Sequence, residues 1–161
     1  MKKLLCAAAL ACPLAAHAEI EARFIEGAPK DRFVLRNVGD CAHQALDLTL
    51  SIGESAGRLI FDVTDQGAGV EVFQPLEIVA GAALLDKVPT VKDGDNALQL
   101  AMASWPAGAE FSFTIDVDDT VSNRQITVTG SEIEGARLVV GGRSTRFGSD
   151  AVARVRIDCP A

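Results

Sequence analysis

Phe111 to Val128 reads FSFTIDVDDTVSNRQITV, and its first half decides the fold class. Phe111, Phe113, Ile115 and Val117 alternate with Ser112, Thr114, Asp116 and Asp118. A period of two puts the apolar set on one face of an extended strand and the polar set on the other, so Ser112, Thr114, Asp116 and Asp118 are expected to face water. The same alternation returns in DLTLSIG through Leu48, Leu50 and Ile52, and in RQITVTG through Ile126 and Val128. AVARVRID carries it from Val152 with a slip to Val155 and Ile157 that reads as a bulge.

Further strand candidates lie at 20–26, 32–37, 58–64, 70–79, 97–102 and 136–140. They are separated by turn-forming stretches such as GAPKD, NVGDC, DQGAG, KDGDN and GG. Only AGAALLDKV, 80–88, resembles a helical turn. About nine or ten short strands, each with one wet and one dry face and no crossover helices between them, predict an all-β, single-domain antiparallel β-sandwich of immunoglobulin-like or jelly-roll type. No repeat of fixed period and no low-complexity tail interrupts it.

Residues 1–18 read as a secretory signal: Lys2 and Lys3 are the basic start, LLCAAALACPLAA the apolar core, and AHA, Ala16 to Ala18, the small-x-small cleavage site. The apolar run is too short for the roughly 20 residues that span a bilayer. Cys12 is a poor lipidation site, because Ala9 stands where a bulky aliphatic residue is expected. The domain is therefore expected to be 19–161, exported to the periplasm or secreted.

The chain has 15 Lys+Arg against 22 Asp+Glu, and loss of Lys2 and Lys3 with the signal leaves 13 against 22, a net charge of about −9. Such a surface repels phosphate backbones and anionic lipid, which argues against nucleic-acid and membrane partners. Cys6 and Cys12 leave with the signal, so Cys41 and Cys159 form an even pair in an exported chain and are expected to be bonded. The competing reading, a nucleophilic Cys41 with His43 two residues on in DCAHQ, has little beyond proximity behind it.

Enzyme readings are short of parts. After cleavage His43 is the one histidine and there is no tyrosine, so neither a serine triad nor a histidine-rich zinc site can be assembled in its usual form. No phosphate loop or GxSxG elbow is present. Gly67 and Gly69 lie between two strand candidates and lead into no helix, as hairpin glycines do. A glycosidase needs only two carboxylates, and Asp62, Asp65 and Glu71 are available, but nothing in their spacing selects a pair and Trp105 is the sole tryptophan.

Asp116, Asp118 and Asp119 form a candidate calcium set. Residues two apart on a strand are about 6.5 to 7 Å apart, so a shared ion requires the strand end to bend. Calcium takes about six to eight oxygens, and Asn123 or the KDGDN loop, with Asp93, Asp95 and Asn96, would have to supply some of them. The alternative is that these carboxylates guard a strand end against pairing with other chains.

RFIEGAPKDRFVLRN, LIFDVTDQGAGVEVFQPLEIVAG, FTIDVDDT and ITVTGSEIEGARLVV together resemble a group of small exported proteobacterial proteins labelled "aggregation factor core", over about Arg23 to Val140. The resemblance implies calcium-dependent extracellular adhesion, and no binding residue transfers with it. The expected function is a non-enzymatic binding or adhesion module of the cell surface or periplasm, with a protein or glycan partner. The alternatives are a hydrolase with a carboxylate pair and a subunit that joins an assembly through a sheet edge.

Overall fold

The computed structural model describes residues 18–160 except 68, 70, 71 and 122–126. The signal segment through residue 17, Glu71, Asn123 and Ile126 lie outside the described residues.

Eleven strands follow in chain order among the described residues: β1 Ala18–Ile25, β2 Asp31–Asn37, β3 His43–Ser51, β4 Ile60–Phe61, β5 Glu77–Ala80, β6 Ala97–Trp105, β7 Glu110–Ile115, β8 Val117–Asp118, β9 Arg137–Val140, β10 Arg143–Arg146 and β11 Val152–Ile157. They form a five-stranded sheet, β11-β1-β2-β7-β5, a four-stranded sheet, β10-β9-β3-β6, and a small β4-β8 pair. The pairings are antiparallel. The architecture is the expected β-sandwich, and the helical turn expected over 80–88 is a single 3-10 turn, Ala82–Leu84.

The alternation read from the sequence fills the space between the sheets. Ile20, Phe24, Phe33, Leu35, Phe111, Phe113 and Ile115 come from the large sheet, and Leu48, Leu50, Leu98, Leu100, Met102, Leu138 and Val140 from the small one. Phenylalanine rings tie three adjacent strands: Phe24 to Phe33 at 5.2 Å, Phe33 to Phe113 at 5.3 Å and Phe113 to Phe111 at 5.8 Å between centroids. Contacts of this kind add to the area buried.

One end of the sandwich is closed by the NVGDC turn and the disulfide. Buried Asn37 donates through Nδ2 to the carbonyls of Cys41 (2.9 Å) and Trp105 (3.1 Å) and accepts at Oδ1 from the Gly39 amide (3.1 Å). Its side chain thereby supplies partners that the turn backbone would otherwise lack. Cys41 and Cys159 are bonded, with Cα atoms 5.9 Å apart and 118 positions apart in sequence.

Four strand expectations need correction. The 58–64 and 70–79 candidates shrink to β4 and β5, two and four residues long. Residues 127 and 128 belong to no strand, although Val128 is buried. β11 pairs with β1 in one unbroken register from Ala18↔Ile157 to Arg23↔Val152, so the slip after Val152 is no bulge; Ala153 supplies the inward position. β10, sequence RSTR, has no apolar alternation to betray it. It exists because Gly141 (φ 54°) and Gly142 (φ 81°) build a two-residue reversal that returns the chain onto β9.

Candidate functional site

The end of the sandwich opposite the disulfide carries a row of carboxylates. β7 remains in the large sheet through Ile115, which faces Asp31. Val117 and Asp118 then leave it to pair, as β8, with Phe61 and Ile60. The segment ahead of β5 covers this bend: the Gln74 amide donates to the Asp62 carbonyl (3.2 Å) and the Asp116 amide to the Gln74 carbonyl (3.3 Å). As a result Asp116 and Asp118 are buried, at 4% and 3% exposure, where strict alternation had them facing water; Ser112, expected outside as well, is buried where β7 runs between Val34 of β2 and Ala80 of β5. Thr114, before the bend, is half-buried on the outer side.

Asp31 opens β2 and accepts the Gly27 amide at Oδ1 (3.0 Å). Burial above all, then the charges of Asp116 and Asp118, push its carboxyl up to about 8, against the lowering pull of the Gly27 and Val117 amides. Asp116 rises to about 7, by burial first and then by the charge of Asp118, with Lys30 opposing. Asp62, just past β4 and only 1% exposed, rises to about 8 through burial, contact with the Asp93 carboxyl, and the charges of Asp118 and Asp93. Asp93 comes from the KDGDN loop, which is pinned to β4 where the Gly94 amide donates to the Phe61 carbonyl (2.9 Å). Its Oδ1 accepts the amides of Val63 (2.9 Å) and Thr64 (3.1 Å). Oδ2 of Asp62 and Oδ2 of Asp116 are buried and receive no hydrogen bond.

The expected calcium set is thereby distributed. Asp118 faces Asp62, Asp116 interacts with Asp31 and Asp118, and Asp119 is half-buried with Oδ1 accepting the Val121 amide (3.1 Å). Asp95 turns back on its own loop, accepting the Lys92 amide at Oδ2 (2.8 Å). Asn96 is exposed and packs beside Gly53. No three His, Cys, Asp or Glu side chains among the described residues stand in a ready ligand arrangement. Of the carboxylates considered for hydrolysis, Asp65 is exposed and Asp62 is sealed from substrate. Sequence reasoning missed Asp31, though the alternation of DRFVLRN puts it on the same face as Phe33, Leu35 and Asn37.

At the other end, buried His43 has Nε2 3.7 Å from Cys41 Sγ, and burial pushes its imidazole below the usual range. With Cys41 held in the disulfide, no thiol remains for the imidazole to activate.

A third feature is an open concavity of about 390 Å³ on the outer face of the small sheet, lined by Asp47, Thr49, Lys87, Gln99 and Ala101 with the backbone of Leu48 and Leu100. Thr49 and Gln99 stand side by side on β3 and β6, as do Asp47 and Ala101. The Lys87 arm is fixed by the Asp86 amide, which donates to the Ala101 carbonyl (2.8 Å). Trp105 takes no part: it is buried and donates through Nε1 to the Ala109 carbonyl (3.0 Å).

No protein-family model matches the chain, and no curated protein does. Among solved structures, the chain is similar to the carbohydrate-binding module CBM3b of the cellulosomal cellobiohydrolase 9A from Clostridium thermocellum, at 13% identity over 79% of this chain and 94% of that one, with a TM-score of 0.39.

Proposed function

We propose that this chain is an exported, non-enzymatic binding module of the cell surface or periplasm, that it engages a glycan or glycoprotein through the outer face of the small sheet, and that calcium assists its fold. The observation that supports the reading is the composition of the β3–β6 concavity. It offers an acceptor at Asp47, a donor at Lys87 and mixed groups at Thr49 and Gln99, the set that pairs with sugar hydroxyls. Asp47 is its one carboxylate, whereas glycoside hydrolysis uses two flanking the scissile bond. Aromatic side chains do not line it, so recognition rests on hydrogen bonds and not on ring stacking. The resemblance to exported aggregation-factor-core proteins supports adhesion as the setting.

The assembly-subunit reading has one observation in its favour, the 48% exposure of Val79 on edge strand β5. That strand is four residues long and shifts register between Ile78 and Ala80, features that discourage edge-to-edge growth.

The test is capture of the purified exported protein on an array of extracellular polysaccharides and glycoproteins, with reducing-end release measured in the same wells. Asp47→Ala with Gln99→Ala should weaken capture at least tenfold and leave the melting temperature in place. Undiminished capture would remove the concavity from the reading, and release of reducing ends would replace the binding module with a hydrolase.

A further inference from the structure

The outer face of the large sheet departs from the charge of the chain as a whole. Outside the expected signal there are 13 Lys+Arg against 22 Asp+Glu. Yet Arg23 on β1, Arg32 and Arg36 on β2, and Arg154 and Arg156 on β11 are all exposed on this one face. Four glutamates share it. Glu21 holds Arg23 (3.4 Å) and Arg154 (2.6 Å), Glu19 holds Arg156 (3.1 Å), and Glu77 holds Lys30 (2.8 Å). The fourth, Glu110, stands opposite Arg36 in register, but Arg32 and Arg36 join none of the ion pairs among the described residues.

The register groups three of these arginines. Arg23 faces Val34, which lies between Arg32 and Arg36 on β2. Diagonal neighbours in an antiparallel pair are about 7 to 8 Å apart, so three like charges surround one half-buried valine. Beyond Val34 come buried Ser112 and then Ala80, and no bulky side chain separates the Arg32–Thr114–Glu77 row from the Arg36–Glu110 row.

We propose that this face is a second glycan-binding surface, that its occupant is an acidic polysaccharide bearing carboxylates, and that Arg23, Arg32 and Arg36 grip those carboxylates above Val34. Charge complementarity selects an anionic occupant, and the planar guanidinium fork matches a carboxylate with two parallel hydrogen bonds. The glutamates then select among anions. Glu21 and Glu110 offer acceptors to sugar hydroxyls, which a polyuronate carries beside each carboxylate and a DNA backbone lacks. A repeating anion also reaches Arg154 and Arg156, so contacts that are weak singly add along one polymer.

The face lies on the sheet opposite the β3–β6 concavity, so the two surfaces are tested separately. Polygalacturonate, dextran sulfate, neutral dextran and double-stranded DNA are immobilised, and capture of the purified protein is measured against salt. We expect capture on polygalacturonate well above neutral dextran, weakening steeply as salt rises from about 0.05 to about 0.5 M. Arg32→Ala with Arg36→Ala should cut it at least tenfold and leave the melting temperature in place, because both side chains are exposed. Arg143→Ala with Arg146→Ala removes the same charge from β10, at the edge of the small sheet, and should bind like the parent. Absent capture on polygalacturonate, equal capture on neutral dextran, capture that survives the Arg32 and Arg36 substitutions, or an equal loss in the β10 control would overturn the proposal. Tighter capture on dextran sulfate or DNA would make sulfate or phosphate the anion recognised and equally overturn it. Asp47→Ala with Gln99→Ala should leave polygalacturonate capture unchanged; its loss there would assign the polymer to the concavity and overturn the second surface.

Discussion

Phe113→Ala should be among the most damaging single changes to this fold, and its cost can be worked from the structure. Phe113 is fully buried at the centre of β7, opposite Phe33 on β2 and Ile78 on β5. Its ring stacks on Phe33 at 5.3 Å and tilts against Phe111 at 5.8 Å. Truncation removes the burial of the ring and leaves a cavity walled by two other rings that cannot both collapse into it, which places the loss at about 3 to 5 kcal/mol. For a domain of this size that is a fall of roughly 6 to 20 °C in melting temperature, with the slope of the urea transition unchanged because the same surface is exposed on unfolding. Thr114→Ala, the next residue on the outer face, is the matched control and should stay within about 0.5 kcal/mol. Urea unfolding followed by tryptophan fluorescence reports both, since Trp105 is itself buried. A Phe113→Ala midpoint equal to the parent's, or an equal loss for Thr114→Ala, would refute the register assigned to β7.

Reduction, or Cys41→Ser with Cys159→Ser, should destabilise the folded domain by up to about 4 to 5 kcal/mol, since the bond closes a loop of 118 positions; two reactive thiols in the unreduced, unfolded protein would refute the pairing. In chelator, stability should fall as pH rises from about 5.5 to 8.5: Asp31 and Asp62 are pushed up to about 8 and Asp116 to about 7, so the folded chain holds more protons than the unfolded one between their ordinary and raised values. That stability is complete below the ordinary carboxylate range and is lost through pH 7 to 8; Asp31→Asn should flatten part of the slope and raise the melting temperature at pH 8, and a melting temperature that climbs steadily over the window would refute the assignment.

The sandwich was legible because burial on one face of a strand writes period two into the chain. β1, β2, β3, β6, β7, β9 and β11 all carry that signature. β10 was invisible, since RSTR is exposed and owes its place to a glycine turn and not to a buried face. The acidic end was misread for a related reason. Alternation assumes that a strand stays in one sheet, but after Ile115 the chain changes partner, and burial of Asp116 and Asp118 follows from what covers the bend. Asp62 and Asp93 are 31 positions apart and Asp118 is 25 beyond Asp93, so their meeting is a property of topology that spacing along the chain does not encode. The disulfide, by contrast, followed from a count of the cysteines outside the expected signal.

A fold selected for stability alone has simple remedies for buried like charges: an asparagine at 62, or an arginine within reach. Position 62 is aspartate, and Gly67 and Gly69 stand where a side chain would overlap the carboxylates of Asp93 and Asp62. Protons satisfy such a cluster at acid pH and leave it strained above pH 8. Near neutrality Asp62, pushed up to about 8, still holds its proton in most molecules, while Asp116, at about 7, is near half-titration. The β4–β8 strand pair is only two residues long on each side, and it is held in place by the buried side chains of Phe61 and Val117 and by backbone hydrogen bonds from Phe61 to Asp95 and from Gly94 to Phe61. The β3–β6 concavity sits on the other sheet, so substitutions in it and at the carboxylate end can be read independently of one another.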